Sequence, residues 1–133
     1  MTEELKKDLT ERMDACDFNR AHGFRLTEVE EGRAVVETEL KPEHLNIWGH
    51  AHGGILYSMA DIAAGVATRA LCGCHTVTAA SSVNYLFASL NARRLRAEGT
   101  VIKKGHSLVV SQTEVYDDEG NHLLTGQFTM YIS

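Results

Sequence analysis

Apolar residues recur at helical and strand spacings in a fixed succession along this chain. In Thr2–Cys16, Leu5, Leu9, Met13 and Cys16 fall at intervals of four, four and three in a charged background, which predicts a one-sided helix that packs on another element. Phe24–Glu30 and Arg33–Leu40 read as strands around the turn Glu31-Gly32. In the second, Ala34, Val36, Thr38 and Leu40 alternate with Arg33, Val35, Glu37 and Glu39, a period of two. The single proline, Pro42, ends that strand, and Lys41–His52 is a polar loop. After Gly53-Gly54 the period becomes helical, with Ile55, Met59, Ile62, Val66 and Ala70 at intervals of four, three, four and four. The other positions of this long helix are small (Ala60, Ala63, Ala64, Gly65, Ala67), so backbone can approach it from several sides, as a sheet wrapped around it would. Thr76–Phe87, Arg94–Lys103, Leu108–Tyr116 and Leu123–Ile132 read as four further strands. The turns Ala88–Arg93, Lys104-Gly105-His106 and Asp117–Asn121 separate them.

This order predicts an α+β fold with one dominant helix, whose last three strands form an antiparallel meander. A single curled sheet leaves two edges uncovered, so pairing with a second copy is the default expectation. The length of 133 residues suits one domain spanning the whole chain, 1–133. Thirteen basic against eighteen acidic residues, a net charge of −5, supply no positive field to gather nucleic acid. The N-terminus lacks the apolar stretch of a secretory signal, and no membrane span is expected. Cys16, Cys72 and Cys74 are an odd set, and a disulfide between the last two, one residue apart, is expected to be strained; a reducing, cytoplasmic setting fits that reading.

Candidate chemistry concentrates in Asn46-Ile-Trp-Gly-His-Ala-His52-Gly53-Gly54, immediately before the long helix, and at Asp61 two turns inside it. A helix N-terminus carries unpaired N–H groups and partial positive charge, so a Gly-Gly start lets backbone donors approach an oxygen that is developing negative charge. Plain backbone permissiveness explains the same glycines. Ser58, Asp61, Gly65 and Thr68 fall on one stripe of the helix. A carboxylate there needs a partner or a water-filled site, and a structural ion pair across an interface with Arg69, Arg93 or Arg94 is the alternative to a catalytic role. His44, His50 and His52 share one loop, yet no cysteine or carboxylate completes a metal-ligand spacing, so no metal is expected. Cys72-Gly-Cys74-His75 lacks the spacer of a haem-attachment motif, and no G-x-S-x-G nucleophile elbow occurs.

The run HLNIWGHAHGGILYSMADIAAGVATRA resembles the signature of the hotdog-fold acyl-CoA thioesterases of the PaaI type: an Asn, a short spacer, His-Gly-Gly, and an acidic residue seven positions beyond the second glycine. Thr76–Ala88, Val101–Gly105 and the acidic hairpin at Asp117–Asn121 extend the resemblance over most of the chain. The resemblance implies a curved antiparallel sheet around Ile55–Leu71, and homodimers pairing edge to edge, with shared active sites, that assemble to homotetramers. It implies Asp61 as general base or nucleophile, Asn46 and His52 near the thioester, the N–H of Gly53 with that of Gly54 as oxyanion donors, and Thr78 as the polar residue of the following strand. The substrate would be an aryl- or medium-chain acyl-CoA, with coenzyme A as part of substrate and product and no other cofactor. Its phosphates would be met by Arg93, Arg94, Lys103, Lys104 and His106, and its acyl group by Trp48, Tyr57, Tyr85 and Phe87. Where many relatives carry a Phe-Leu-Arg-Pro-like stretch, this chain reads Tyr85-Leu86-Phe87-Ala88-Ser89, which removes one expected phosphate contact. A non-catalytic acyl-CoA sensor and a hydratase or dehydratase on the same fold are the rival readings.

Overall fold

The computed structural model describes residues 1–133, and its elements run α1 (Glu3–Ala15), α2 (Asp17–Ala21), β1 (Arg25–Glu30), β2 (Arg33–Glu39), a 3-10 turn (Pro42–His44), α3 (Gly53–Cys72), β3 (Thr76–Tyr85), β4 (Arg94–Lys104), β5 (Leu108–Asp117) and β6 (His122–Ile132). The six strands form one antiparallel sheet in the order β1-β2-β4-β5-β6-β3. The meander β4-β5-β6 lies at its centre as the short turns predict. β3, which follows α3 in the chain, pairs with β6 at one edge, while β1 forms the other.

Each predicted element is present, with its ends displaced by one or two residues. α1 begins where Thr2 Oγ1 accepts the Leu5 N–H at 3.0 Å, and it buries Leu9 and Met13 on its apolar stripe. α2 is absent from the sequence reading because five residues are too few to show a period. α3 ends at Gly73, whose left-handed φ of 64° closes the helix with an N–H bond to the Arg69 carbonyl at 2.8 Å.

The core lies between α3 and the concave face of the sheet. Met59, Ala60, Ala63, Ala64 and Ala67 of the helix are fully buried against strand residues that include Leu95, Ala97, Val109, Val115 and Phe128. Thr113 Oγ1 donates to the Ala60 carbonyl at 2.9 Å, and Thr68 donates to the Ala64 carbonyl while meeting Ser111 Oγ at 3.0 Å. The closest approach is at Gly99 of β4, where a Cβ would stand 2.5 Å from the Ala63 carbonyl oxygen. Gly99→Ala is therefore expected to destabilise the fold by about 1–3 kcal/mol, lowering Tm by roughly 4–10 °C in thermal unfolding. An unchanged Tm would show that α3 does not rest on β4 there.

Two expectations are corrected. Cys72 and Cys74 are paired as a disulfide, because the left-handed turn at Gly73 brings their Cα atoms to 5.1 Å, within disulfide range. α3, at 20 residues, is long and apolar enough to cross a membrane by length and composition, yet half of its length is buried inside the sheet. Within the chain, the partner of Asp61 is a threonine hydroxyl.

β3 departs from the other long strands. β4, β5 and β6 alternate buried and exposed positions, whereas every one of the ten residues of β3 is at least partly exposed. Within one chain this edge strand is largely open, with Val83 alone of its apolar residues packed against the core.

Candidate active site

The loop before α3 is held by its own hydrogen bonds. Asn46 Oδ1 accepts the N–H groups of Trp48 (2.9 Å) and His50 (3.0 Å), and the Asn46 N–H bonds the His50 carbonyl at 2.8 Å. Gly49 turns the chain at a φ of 80°, a conformation that favours glycine. Ile47 and Trp48 at the loop tip are 90% and 75% exposed. His50 Nδ1 donates to the Ser89 carbonyl at 2.8 Å, tying the loop to the segment after β3. His44 is fully buried; its Nδ1 accepts the Lys41 N–H, its carbonyl accepts the His52 N–H at 2.8 Å, and burial holds its pKa below the ordinary histidine value, so the ring stays neutral.

A helix begins with four N–H groups that lack intrahelical partners. In α3, Gly54 N–H donates to His52 Nδ1 at 2.9 Å, and Ile55 and Leu56 donate to the His52 carbonyl at 3.0 and 3.1 Å. Gly53 N–H alone has no partner within the chain. This distinguishes the two glycines that open the helix: His52 occupies the Gly54 donor by capping the helix, and Gly53 keeps the free one. The Gly53 carbonyl accepts the Tyr85 hydroxyl at 3.1 Å, and the Tyr85 ring lies 3.3 Å from where a Gly53 Cβ would be. Burial raises the Tyr85 phenol above its ordinary pKa, so it remains a donor. Asn46, Gly53, Leu56, Tyr85 and Phe87 line a cleft of about 380 Å³. A roomier cleft of about 630 Å³, bounded by Arg20, Arg25, Thr38 and Lys41, shares no residue with it.

Two turns along α3, half-buried Asp61 accepts the Thr78 hydroxyl of β3 at 2.6 Å. Between these points Tyr57 bonds Ser81, so three side-chain links (Gly53–Tyr85, Tyr57–Ser81, Asp61–Thr78) join the open flank of α3 to β3. Ser81 carries no signal in the sequence that marks it for this role. Tyr85 and Phe87 border the cleft, while Trp48 and Tyr57 do not line it.

The five basic candidates do not converge. All are exposed, and the pairs Arg93/Arg94 and Lys103/Lys104 stand at opposite ends of β4, about 33 Å apart at strand rise; His106 lies beyond the second pair. Arg93 belongs to the loop end of the molecule: its carbonyl accepts the Leu40 N–H at 2.8 Å, and the N–H groups of Arg93 and Arg94 bond Asp118 Oδ1. Those two donors hold the Asp118 carboxyl below its ordinary pKa. The rings of His44, His50 and His52 bond three different backbone groups, and no set of three His, Cys, Asp or Glu side chains gathers around a common point.

One long helix wrapped by a six-stranded antiparallel sheet is the hotdog architecture. Residues 48–123 match the thioesterase superfamily. The acyl-coenzyme A thioesterase PaaI of Escherichia coli is 33% identical over 106 residues, covering 80% of this chain and 70% of that protein. The solved structure of the E. coli PaaI protein aligns over 97% of this chain and 93% of its own, with a TM-score of 0.90 at 22% identity. A hypothetical thioesterase from Streptococcus pneumoniae TIGR4, solved with coenzyme A, covers 96% of this chain and 95% of its own (TM-score 0.82, 30% identity). The protein smu.793 from Streptococcus mutans UA159, bound to acetyl-CoA, covers 83% and 88% (TM-score 0.77, 28% identity). The chain thus belongs to the thioesterase superfamily, hydrolases of thioesters, and to its PaaI-type hotdog branch.

Proposed function

We propose that this protein hydrolyses acyl-CoA thioesters to the free acid and CoA, with Asp61 as general base or nucleophile and the Gly53 N–H as oxyanion donor. The observation that carries the reading is the pairing of one unsatisfied N–H at the start of α3 with a Thr78-oriented carboxylate on the same flank. As base, Asp61 takes a proton from the water that attacks the thioester carbonyl; as nucleophile, Asp61 itself attacks that carbonyl to form an acyl anhydride that water then hydrolyses. In either route the negative charge on the carbonyl oxygen falls to Gly53, and the CoA thiolate leaves and is protonated. Coenzyme A bound to the S. pneumoniae protein and acetyl-CoA to the S. mutans protein support the substrate class. His52 Nε2 and the Asn46 amide nitrogen, both free of partners within the chain, are left to orient the thioester.

Gly53 and Asp61 of one chain are eight residues apart on a helix, about 12 Å along its axis, too far to act on one carbonyl. A second copy with its α3 antiparallel and its β3 alongside would bring Gly53 of one chain to Asp61 of the other, covering the open edge strand at the same time. On this reading the working unit is a homodimer paired through β3, which assembles further to a tetramer, and Arg93 and Arg94, at the Gly53 end, meet the CoA phosphates in preference to Lys103, Lys104 and His106.

The test is release of free CoA thiol from phenylacetyl-, benzoyl-, short-chain and medium-chain acyl-CoAs. Hydrolysis is expected for aryl or medium-chain members; no hydrolysis across the panel, with CoA still bound, would favour the sensor reading. Thr78→Val is expected to lower kcat by about tenfold or more without lowering Tm, since a hydrogen bond to a charged group contributes about 1.5–3 kcal/mol. Wild-type kcat in that variant would leave Thr78 without a part in orienting Asp61.

A further inference from the structure

Gly65 has no reason within its own chain to be glycine. It sits in the interior of a 20-residue helix, where glycine costs about 0.5–1 kcal/mol relative to alanine. Its backbone is not in the left-handed region. A Cβ built on it would meet nothing within 4 Å, unlike Gly99, which the backbone of α3 crowds. The space beside residue 65 is therefore left open by its own chain.

The place of that space is specific. Gly65 lies one turn beyond Asp61 on the same stripe, on the flank of α3 where Ser58, Asp61 and Ile62 are only half-buried. A thioester carbonyl carbon within reach of the Asp61 carboxylate, about 3–3.5 Å away, puts the first carbons of the acyl group over the neighbouring turn. Residues i and i+4 have Cβ positions about 5–6 Å apart, the span of the carbonyl and one or two further carbons. We infer that Gly65 sets the room beside the thioester carbonyl, so that residue 65 selects for acyl groups with a ring or a branch close to that carbonyl. The inference rests on the acyl-CoA reading above and adds to it a specificity-determining position.

One methylene in a fitted pocket changes selectivity about 10- to 200-fold. Adding a methyl (Gly65→Ala) and then an isopropyl group (Gly65→Val) should therefore lower the ratio of kcat/KM for benzoyl- or isobutyryl-CoA to that for acetyl-CoA, by about tenfold or more at the first step and further at the second. The Tm of Gly65→Ala should equal or exceed that of the wild type. The same series is measured by binding, as the ratio of Kd values for the non-hydrolysable thioethers S-phenacyl-CoA and S-acetonyl-CoA, which needs no turnover. Wild type that binds both thioethers but hydrolyses no acyl-CoA would overturn the thioesterase reading, and the Kd ratio would still decide the role of residue 65. Equal losses for bulky and small groups would overturn the inference. With dissociation of the oligomer they would assign the space to a second copy of the chain; without it, to the pantetheine arm.

Discussion

Asp61→Asn is expected to lower kcat by about 10²- to 10⁴-fold, the range over which a positioned general base contributes, with KM little altered. The substitution suits the question because it changes chemistry and almost nothing else. Asn retains an Oδ1 that can accept the Thr78 hydroxyl, its volume matches, and the residue lies on the open flank of α3 rather than in the core. Tm should stay near that of the wild type, so lost turnover cannot be ascribed to unfolding. Near-wild-type kcat would remove Asp61 from the mechanism. A single turnover in ¹⁸O-water that leaves label in the Asp61 side chain identifies it as the nucleophile, through water attack on the Asp61 carboxyl carbon of the anhydride; a general base leaves that side chain unlabelled.

Mixing two inactive variants gives the second large effect. Gly53→Pro deletes the one unpaired N–H of α3 at small structural cost, since proline is favoured at the first helical position and His52, at φ −62° and ψ 134°, already has the extended backbone that precedes a proline. Its ring meets only the outer part of the Tyr85 side chain. Loss of one oxyanion donor costs about 10²–10³ in kcat, so Gly53→Pro and Asp61→Ala chains should each be nearly inactive alone. If every site takes Gly53 from one chain and Asp61 from the other, random exchange makes half of the dimers mixed. Each mixed dimer then holds one intact site of two, and the mixture recovers about one quarter of wild-type activity. A site made by one chain recovers none. Absence of recovery in folded mixed dimers, shown by native mass spectrometry, would rule out the shared arrangement.

Comparison of sequence and structure shows which parts of such a site are local. The Asn46–Gly54 run, the helix it opens and Asp61 two turns later are consecutive, so spacing alone shows their order and the helix face they share. The short turns around β5 likewise dictate the meander. Position in three dimensions is not local. Thr78 is 17 residues from Asp61, and only the placement of β3 at the sheet edge beside α3 brings its hydroxyl to the carboxylate. The two pairs of basic residues look alike as charges in turns, and the straight run of β4 between them puts them at opposite ends of the sheet.

The sequence by itself determined the succession of elements, the helix that forms the core and the candidates for the chemistry, because hydrophobic period and motif spacing are properties of neighbours along the chain. The tertiary structure alone decided that the Thr78 hydroxyl reaches Asp61, that Gly99 is crowded while Gly65 is open, and that β3 remains largely exposed. Each of these depends on what lies across a gap in space, and hydrogen-bond competition and steric contact act between atoms far apart in the chain.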